Sequence, residues 1–204
     1  MTHFFIATED QLSVEVAHRL ISTFTKITIK DRTVLWPKNN LGGNGQLKAN
    51  LKKYFDLAKK YPVLLITDLD TANCAPSLLN SWKNSVNIEM PANMLLRIAV
   101  REIESWLLAD NIAASKLLAT NKIPHDPDQE PDPKRKLIEL AKKAPRAIQS
   151  DLVAERSARA TQGIGYNSRL TNFIRTSWCP MRARTKSDSL ERCCRRIENL
   201  KVKS

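Results

Sequence analysis

A chain of 204 residues with 42% hydrophobic residues, 26% charged residues and only 5 glycines can fill a real core, which excludes collagen-like and disordered polymers and fits one domain with an appendage. No apolar run reaches the ~18 residues of a membrane-spanning helix, and no basic segment followed by an apolar stretch opens the chain, so a cytoplasmic protein without signal peptide or membrane contact is expected. The net charge of +12 is lopsided: residues 1–133 carry 15 Lys+Arg and 15 Asp+Glu, whereas residues 134–204 carry 18 and 6. A field of that size attracts polyanions, nucleic acid above all. The plainer alternatives are a solvated basic surface or a face for an acidic protein.

Taken in chain order, His3 to Ala7 reads as a buried strand and Leu12 to Phe24 as a helix, with Leu12, Val16, Leu20 and Phe24 on one side. Thr33 to Trp36 is a second short strand stopped by Pro37, and residues 39–45 (NNLGGNG) form a loop by composition. Gln46 to Tyr61 is a lysine-rich helix, Val63 to Thr67 a third strand, and Pro76 to Trp82 the start of another helix. Leu95 to Val100 is a fourth strand that leads into a helix from Arg101 to Asp110. Alternating strands and helices at this spacing predict right-handed crossovers and an α/β fold around a parallel sheet. The α/β domain is expected over 1–120. Residues 121–133, with four prolines and four acids, read as a linker or loop, and 134–204 as a basic helical appendage with helices at Lys134–Lys143, Tyr166–Thr176 and Ser187–Leu200.

Asp68-Leu69-Asp70 closes the third strand, and Glu9-Asp10 follows the first. If both strands point the same way, their acids meet at the carboxyl edge of the sheet, where open α/β sheets bind ligands. Glu9, Asp68 and Asp70 together suit a hard cation such as Mg²⁺ or Mn²⁺. Strict alternation would put Asp68 and Asp70 on the same side. The bland reading is that they are solvated turn residues, and that Asp10 merely caps the helix. Glu15 reads as a surface charge or a group behind the site. Glu102 and Glu104, at the start of the helix after strand four, are further catalytic candidates, with Arg101 beside them to contact phosphate. They equally suit helix-start acids with a structural Arg–Glu pair. In the basic third, Lys134, Arg135, Arg169, Arg182, Arg184, Arg195 and Arg196 are the candidates for binding a phosphate backbone.

Other signals are weaker. Cys74, Cys179, Cys193 and Cys194 have no paired spacing, so a zinc site is not expected and free thiols are. Residues 42–45 lack the P-loop pattern, and Gly163-Ile164-Gly165 is too short for a dinucleotide fingerprint.

The order of these motifs resembles the Toprim domain, which places a glutamate after its first strand and D-x-D after its third, with Mg²⁺ between them. Glu9, Asp68 and Asp70 match those positions, although Asp10 stands where many of these glutamates are followed by glycine. The closer similarity is to small Toprim-like proteins of the DUF4276 type, related to the nucleases of the overcoming-lysogenization-defect class. The segment Arg97-Ile98-Ala99-Val100-Arg101-Glu102-Ile103-Glu104-Ser105-Trp106-Leu107-Leu108-Ala109-Asp110 looks like their R-E-x-E-x-W-L-L-A-D signature, and Gly165-Tyr166-Asn167 and Ser187-x-Ser189-Leu190 are similar as well. The resemblance implies a Mg²⁺-dependent nuclease acting on DNA or RNA. It also implies an effector of bacterial anti-phage defence beside an ABC-type ATPase; a homo-oligomer is compatible with it.

Two rival expectations come from other classes. One is a non-catalytic module that binds nucleic acid or a partner ATPase, its acidic edge degenerate. The other is a haloacid-dehalogenase-like phosphatase, disfavoured because Ala72 fills the last position of its D-x-D-x-[TV] motif and because the motif lies on the third strand rather than the first.

Overall fold

The computed structural model describes residues 3–36, 44–155 and 160–200. Four strands, β1 (Phe4–Thr8), β2 (Arg32–Val34), β3 (Val63–Asp68) and β4 (Met94–Ala99), form one sheet in the order β2-β1-β3-β4, parallel throughout. The strands are β-rich apolar runs because both faces of the sheet are covered. Phe4, Ile6, Leu64, Ile66, Leu95 and Ala99 enter one core, while Ala7, Val63, Leu65, Met94 and Leu96 enter another. The period of two residues along a strand produces that division.

Eleven helices among the described residues flank the sheet. α1 (Gln11–Phe24), α5 (Ile103–Ala109), α6 (Asn111–Leu118), α7 (Pro133–Ala141), α8 (Arg146–Leu152), α9 (Tyr166–Thr176), α10 (Pro180–Ala183) and α11 (Asp188–Glu198) contribute to the first core. α2 (Asn44–Ala49), α3 (Leu51–Ala58) and α4 (Ala75–Val86) cover the other face through Leu47, Leu51, Phe55 and Trp82. The chain leaves β1 toward β2 on one side and β3 toward β4 on the other. These diverging connections open a crevice at the carboxyl ends of β1 and β3, the switch point where such sheets take ligands.

The basic C-terminal third packs directly on this frame. Leu170, Phe173, Ile174, Leu190, Cys193 and Ile197 belong to the same core as Phe4 and Leu64. Trp106 donates its indole N–H to Ser189 at 2.7 Å, and Trp178 donates to the Trp106 carbonyl at 2.9 Å.

Several expected boundaries move. The helix expected over Gln46 to Tyr61 is two helices that break at Asn50, whose amide side chain donates to the Gln46 carbonyl at 2.9 Å. The helix expected from Arg101 begins at Ile103, with Glu102 in extended conformation as its cap, and ends before Asp110, which caps α6 instead. The 121–133 segment is an ordered loop holding the 3₁₀ turn Pro127–Gln129. Asp128 in that turn accepts from the Ser187 hydroxyl at 2.8 Å and the Ser189 amide at 2.9 Å. Most of the loop expected over 39–45 lies outside the described residues, and Asn44 and Gly45 open α2.

Candidate acidic site at the sheet edge

β3 ends on Asp68, on the side of the sheet that Leu64 and Ile66 share. Its Oδ1 is buried and has no hydrogen-bond partner. Burial first, then the charges of Glu104, Glu9, Asp10 and Asp70, push its carboxyl up to about 9. An ionised carboxylate there is poorly solvated at Oδ1 and surrounded by like charge.

Glu9 leaves β1 beside it. The carboxylate accepts hydrogen bonds from the Thr67 hydroxyl and from the Asp68 backbone N–H, the latter at 3.2 Å. Burial raises the Glu9 carboxyl, opposed by those two bonds and helped by Asp70 and Asp10. Asp10 is the helix cap: it accepts from the Ser13 N–H at 2.8 Å.

The R-E-x-E-x-W segment supplies the opposite wall. Glu104 is only 4% exposed, accepts the Tyr166 hydroxyl at 2.8 Å, and is pushed up to about 7, chiefly by burial. Glu102 accepts the Lys134 backbone N–H at 3.0 Å, at the start of α7, and is also raised by burial. The Lys134 ammonium lies 5.4 Å from the centre of the Tyr166 ring. Half-buried Glu9 and Asp68 and buried Glu104 thus form the inner part of one electrostatically coupled cluster, with Asp70 and Glu102 acting on it through their charges. Gly165-Tyr166-Asn167 stands out in the sequence only through the family resemblance, and Tyr166 is not among the expected site residues, because its local pattern does not name a partner 62 residues away.

Asp70 departs from simple alternation. The strand stops at Asp68, Leu69 is buried, and Asp70 takes a left-handed conformation with φ of 49°. Aspartate tolerates that region better than most residues. The Leu69 and Asp70 amides both donate to the Arg101 carbonyl, at 2.9 and 3.0 Å. The Arg101 guanidinium donates back to the Asp70 and Ala72 carbonyls at 3.2 and 2.8 Å, so this residue ties down the loop after β3. Among the described residues, no three His, Cys, Asp or Glu side chains already converge as a metal cage.

Glu15 is neither a surface charge nor part of this cluster. It is buried in α1 and paired with Arg175 of α9, 2.8 Å from Nε. Several expected phosphate ligands are likewise engaged within the fold. Arg182 makes a two-pronged pair with the fully buried Asp110 at 2.8 and 2.7 Å, and Arg169 pairs with Asp151 at 2.8 Å. Arg184 is held between Glu191 and Glu198, and exposed Arg135 pairs with Glu139 at 3.2 Å. Arg196 donates to the Ala92 carbonyl, while Arg195 lies in the last turn of α11. All four cysteines are free thiols, and burial pushes the Cys193 thiol up to about 12.

No family model, curated protein or solved structure matches this chain.

Proposed function

We propose that the chain is a divalent-cation-dependent nuclease whose active centre is the acidic cluster at the carboxyl ends of β1 and β3. The observation that carries this reading is Asp68: a carboxylate at the switch point, with a buried oxygen that has no partner and with other acids pressed around it. Such a cluster fits a hard cation, which removes the mutual repulsion and gives the orphaned oxygen a ligand. Asp68, Glu9 and Asp70 are the residues that would hold Mg²⁺ or Mn²⁺. A cation there supplies neutralisation of phosphate charge and favours hydroxide as the nucleophile at neutral pH.

The chain's own groups supply the rest of this reading. Glu104 sits behind Asp68 at a proton affinity near neutrality and, fixed by the Tyr166 hydroxyl, can hold or release a proton there. Glu102 anchors the first turn of α7, which sets the Lys134 ammonium beside the cluster. The similarity to Toprim-like proteins of the DUF4276 type supports the same chemistry, and it adds a role in anti-phage defence with an ABC-type ATPase.

The test is cleavage of labelled DNA and RNA with Mg²⁺, alone and with any ATPase encoded beside the gene. The Asp68→Ala/Asp70→Ala double variant should lose cleavage and keep substrate binding. Wild-type cleavage by that variant would place the chemistry elsewhere.

One observation favours a second reading, a non-catalytic module that binds nucleic acid or an ATPase. The Glu9 carboxylate is turned onto the Thr67 hydroxyl and the Asp68 amide, within the fold. That module would bind substrate and never cleave it, with or without a divalent cation.

A further inference from the structure

A crevice of about 410 Å³ opens between α6 and α9. Among the described residues, no carboxylate lines it, and no member of the acidic cluster does. Three cations do: Lys116 on α6, Arg169 on α9 and Arg182 on α10. Asn172, Thr176 and Ser177 add an amide and two hydroxyls. α9 starts at Tyr166, on the acidic cluster, and carries Arg169, Asn172 and Thr176 about one to three turns farther along.

The two arginines are held from behind. Arg182 gives Nε and Nη2 to the buried Asp110, and Nη2 also reaches the Ser177 carbonyl at 3.1 Å. Arg169 gives the same two nitrogens to Asp151, and its Nη2 also donates to the Ala147 carbonyl at 3.0 Å. In both, the third nitrogen, Nη1, has no partner among the described residues. A guanidinium carries donors on all three nitrogens, so each pairing fixes the plane of the group and leaves one edge to spare. A group already fixed loses little freedom when a ligand arrives. The two carboxylates offset the guanidinium charges but not that of Lys116, which is exposed and makes no ion pair or hydrogen bond among the described residues. A net positive charge is thus left at the crevice. Donors that come from α6, α9 and α10 suit a tetrahedral oxyanion, whose oxygens diverge, better than a planar carboxylate. Ile112, Leu117 and Phe173 make the rest of the lining apolar. The crevice is larger than one phosphate group, and its apolar side has room for the organic group of an ester.

We infer that this crevice binds a phosphate ester, its phosphate held by Lys116 and by the spare edges of Arg169 and Arg182, its organic group against Ile112 and Leu117. Such binding needs neither a divalent cation nor cleavage, so it stands or falls apart from the nuclease reading. It gives Arg169 and Arg182 two roles, an internal pairing and a ligand contact. It also adds Lys116, which sequence reasoning did not single out.

The experiment titrates the full chain in chelator, by isothermal titration calorimetry, with adenosine monophosphate, inorganic phosphate, adenosine and a single-stranded DNA oligonucleotide. Adenosine monophosphate should bind more tightly than inorganic phosphate, and adenosine should not bind. Lys116→Glu should weaken the monophosphate by about tenfold or more, through loss of a charge-assisted contact and repulsion in its place. Lys52→Glu makes the same change of charge on an exposed position of α3 and should leave binding within about twofold. Circular dichroism confirms that the variants fold, and Lys116→Gln serves if Lys116→Glu does not. The oligonucleotide separates the two sources of a phosphate ester. If it loses affinity on Lys116→Glu as the monophosphate does, the crevice takes a strand as well; if it does not, the crevice takes small esters alone. Adenosine bound as tightly as its monophosphate, inorganic phosphate bound more tightly than the ester, equal losses from the α3 and α6 variants, or no binding of the monophosphate at millimolar concentration would overturn the inference. Lys116-dependent binding by a protein that never cleaves nucleic acid would leave it standing and sink the nuclease reading instead.

Discussion

The Tyr166 hydroxyl donates a 2.8 Å hydrogen bond to Glu104, joining the first residue of α9 to the first turn of α5 across 62 positions of sequence. Both groups are buried, and Lys134 covers the outer face of the tyrosine ring. The basic C-terminal segment therefore supplies part of the wall of the acidic cluster.

Tyr166→Phe keeps the ring and removes the donor. Glu104 then loses its one short side-chain bond while remaining buried, an uncompensated polar group worth about 1–3 kcal/mol. The expected result is lower stability in urea, with the Glu104 proton affinity raised further. Unchanged stability at neutral pH would mean that water replaces the hydroxyl.

Asp68→Asn should act in the opposite direction. At neutral pH the folded state either protonates Asp68 or buries its charge, whereas the unfolded chain keeps it ionised in water, so the carboxylate opposes folding. Removing it is expected to stabilise the cation-free protein by on the order of 1–3 kcal/mol. Thermal melting in chelator reads this directly, and a variant less stable than wild type would contradict it.

Much of this architecture is legible in the chain itself. The runs Phe4–Ala7, Val63–Thr67 and Leu95–Val100 are short, apolar and β-rich, and each forms a strand of the parallel sheet within about one residue. Tyr166 to Thr176 forms a helix at the expected boundaries because its apolar residues recur at helical spacing. The break at Asn50 is hidden because the apolar pattern continues through it and only a local side-chain bond marks it. The fate of the arginines is equally hidden. Arg182 and Asp110 stand 72 positions apart, and composition counts a cation without saying whether the fold has already paired it.

That pairing has its own consequence. Asp110 is fully buried and accepts from Arg182, the Cys179 amide and the Ala113 amide. Arg182→Ala leaves a buried carboxylate short of its counter-charge but still bonded to two backbone amides, and with the arginine itself partly solvated the change should cost about 1–3 kcal/mol. If Arg182 served only to bind phosphate, the same change would weaken binding and leave denaturant stability untouched.

Glu15 and Arg175 set an acid limit on the contact between α1 and α9. Burial alone would raise the Glu15 carboxyl, but the Arg175 bond and charge, with the Gln11 bond, carry it below its ordinary value of 4.5. Because the folded value is the lower one, the pair's stabilisation is complete above about pH 4.5 and fades as pH falls through the folded value. Glu15→Gln should therefore lose about 1 kcal/mol at neutral pH, discounted for the solvated Arg175 side, and approach wild type in strong acid. A stability difference that stays constant from pH 7 to about pH 3 would refute the assignment.

If the carboxylates around Asp68 form a cation site, Mn²⁺ will occupy it, and loss of the free-ion electron paramagnetic resonance signal reports that binding. Wild-type protein should bind Mn²⁺ saturably and release it to excess Mg²⁺. Asp68→Asn should abolish that binding, and Lys52→Glu/Lys53→Glu, at exposed positions of α3, should retain it. Saturable binding untouched by Asp68→Asn, or none at millimolar Mn²⁺ in the folded wild-type protein, would contradict a cation site there.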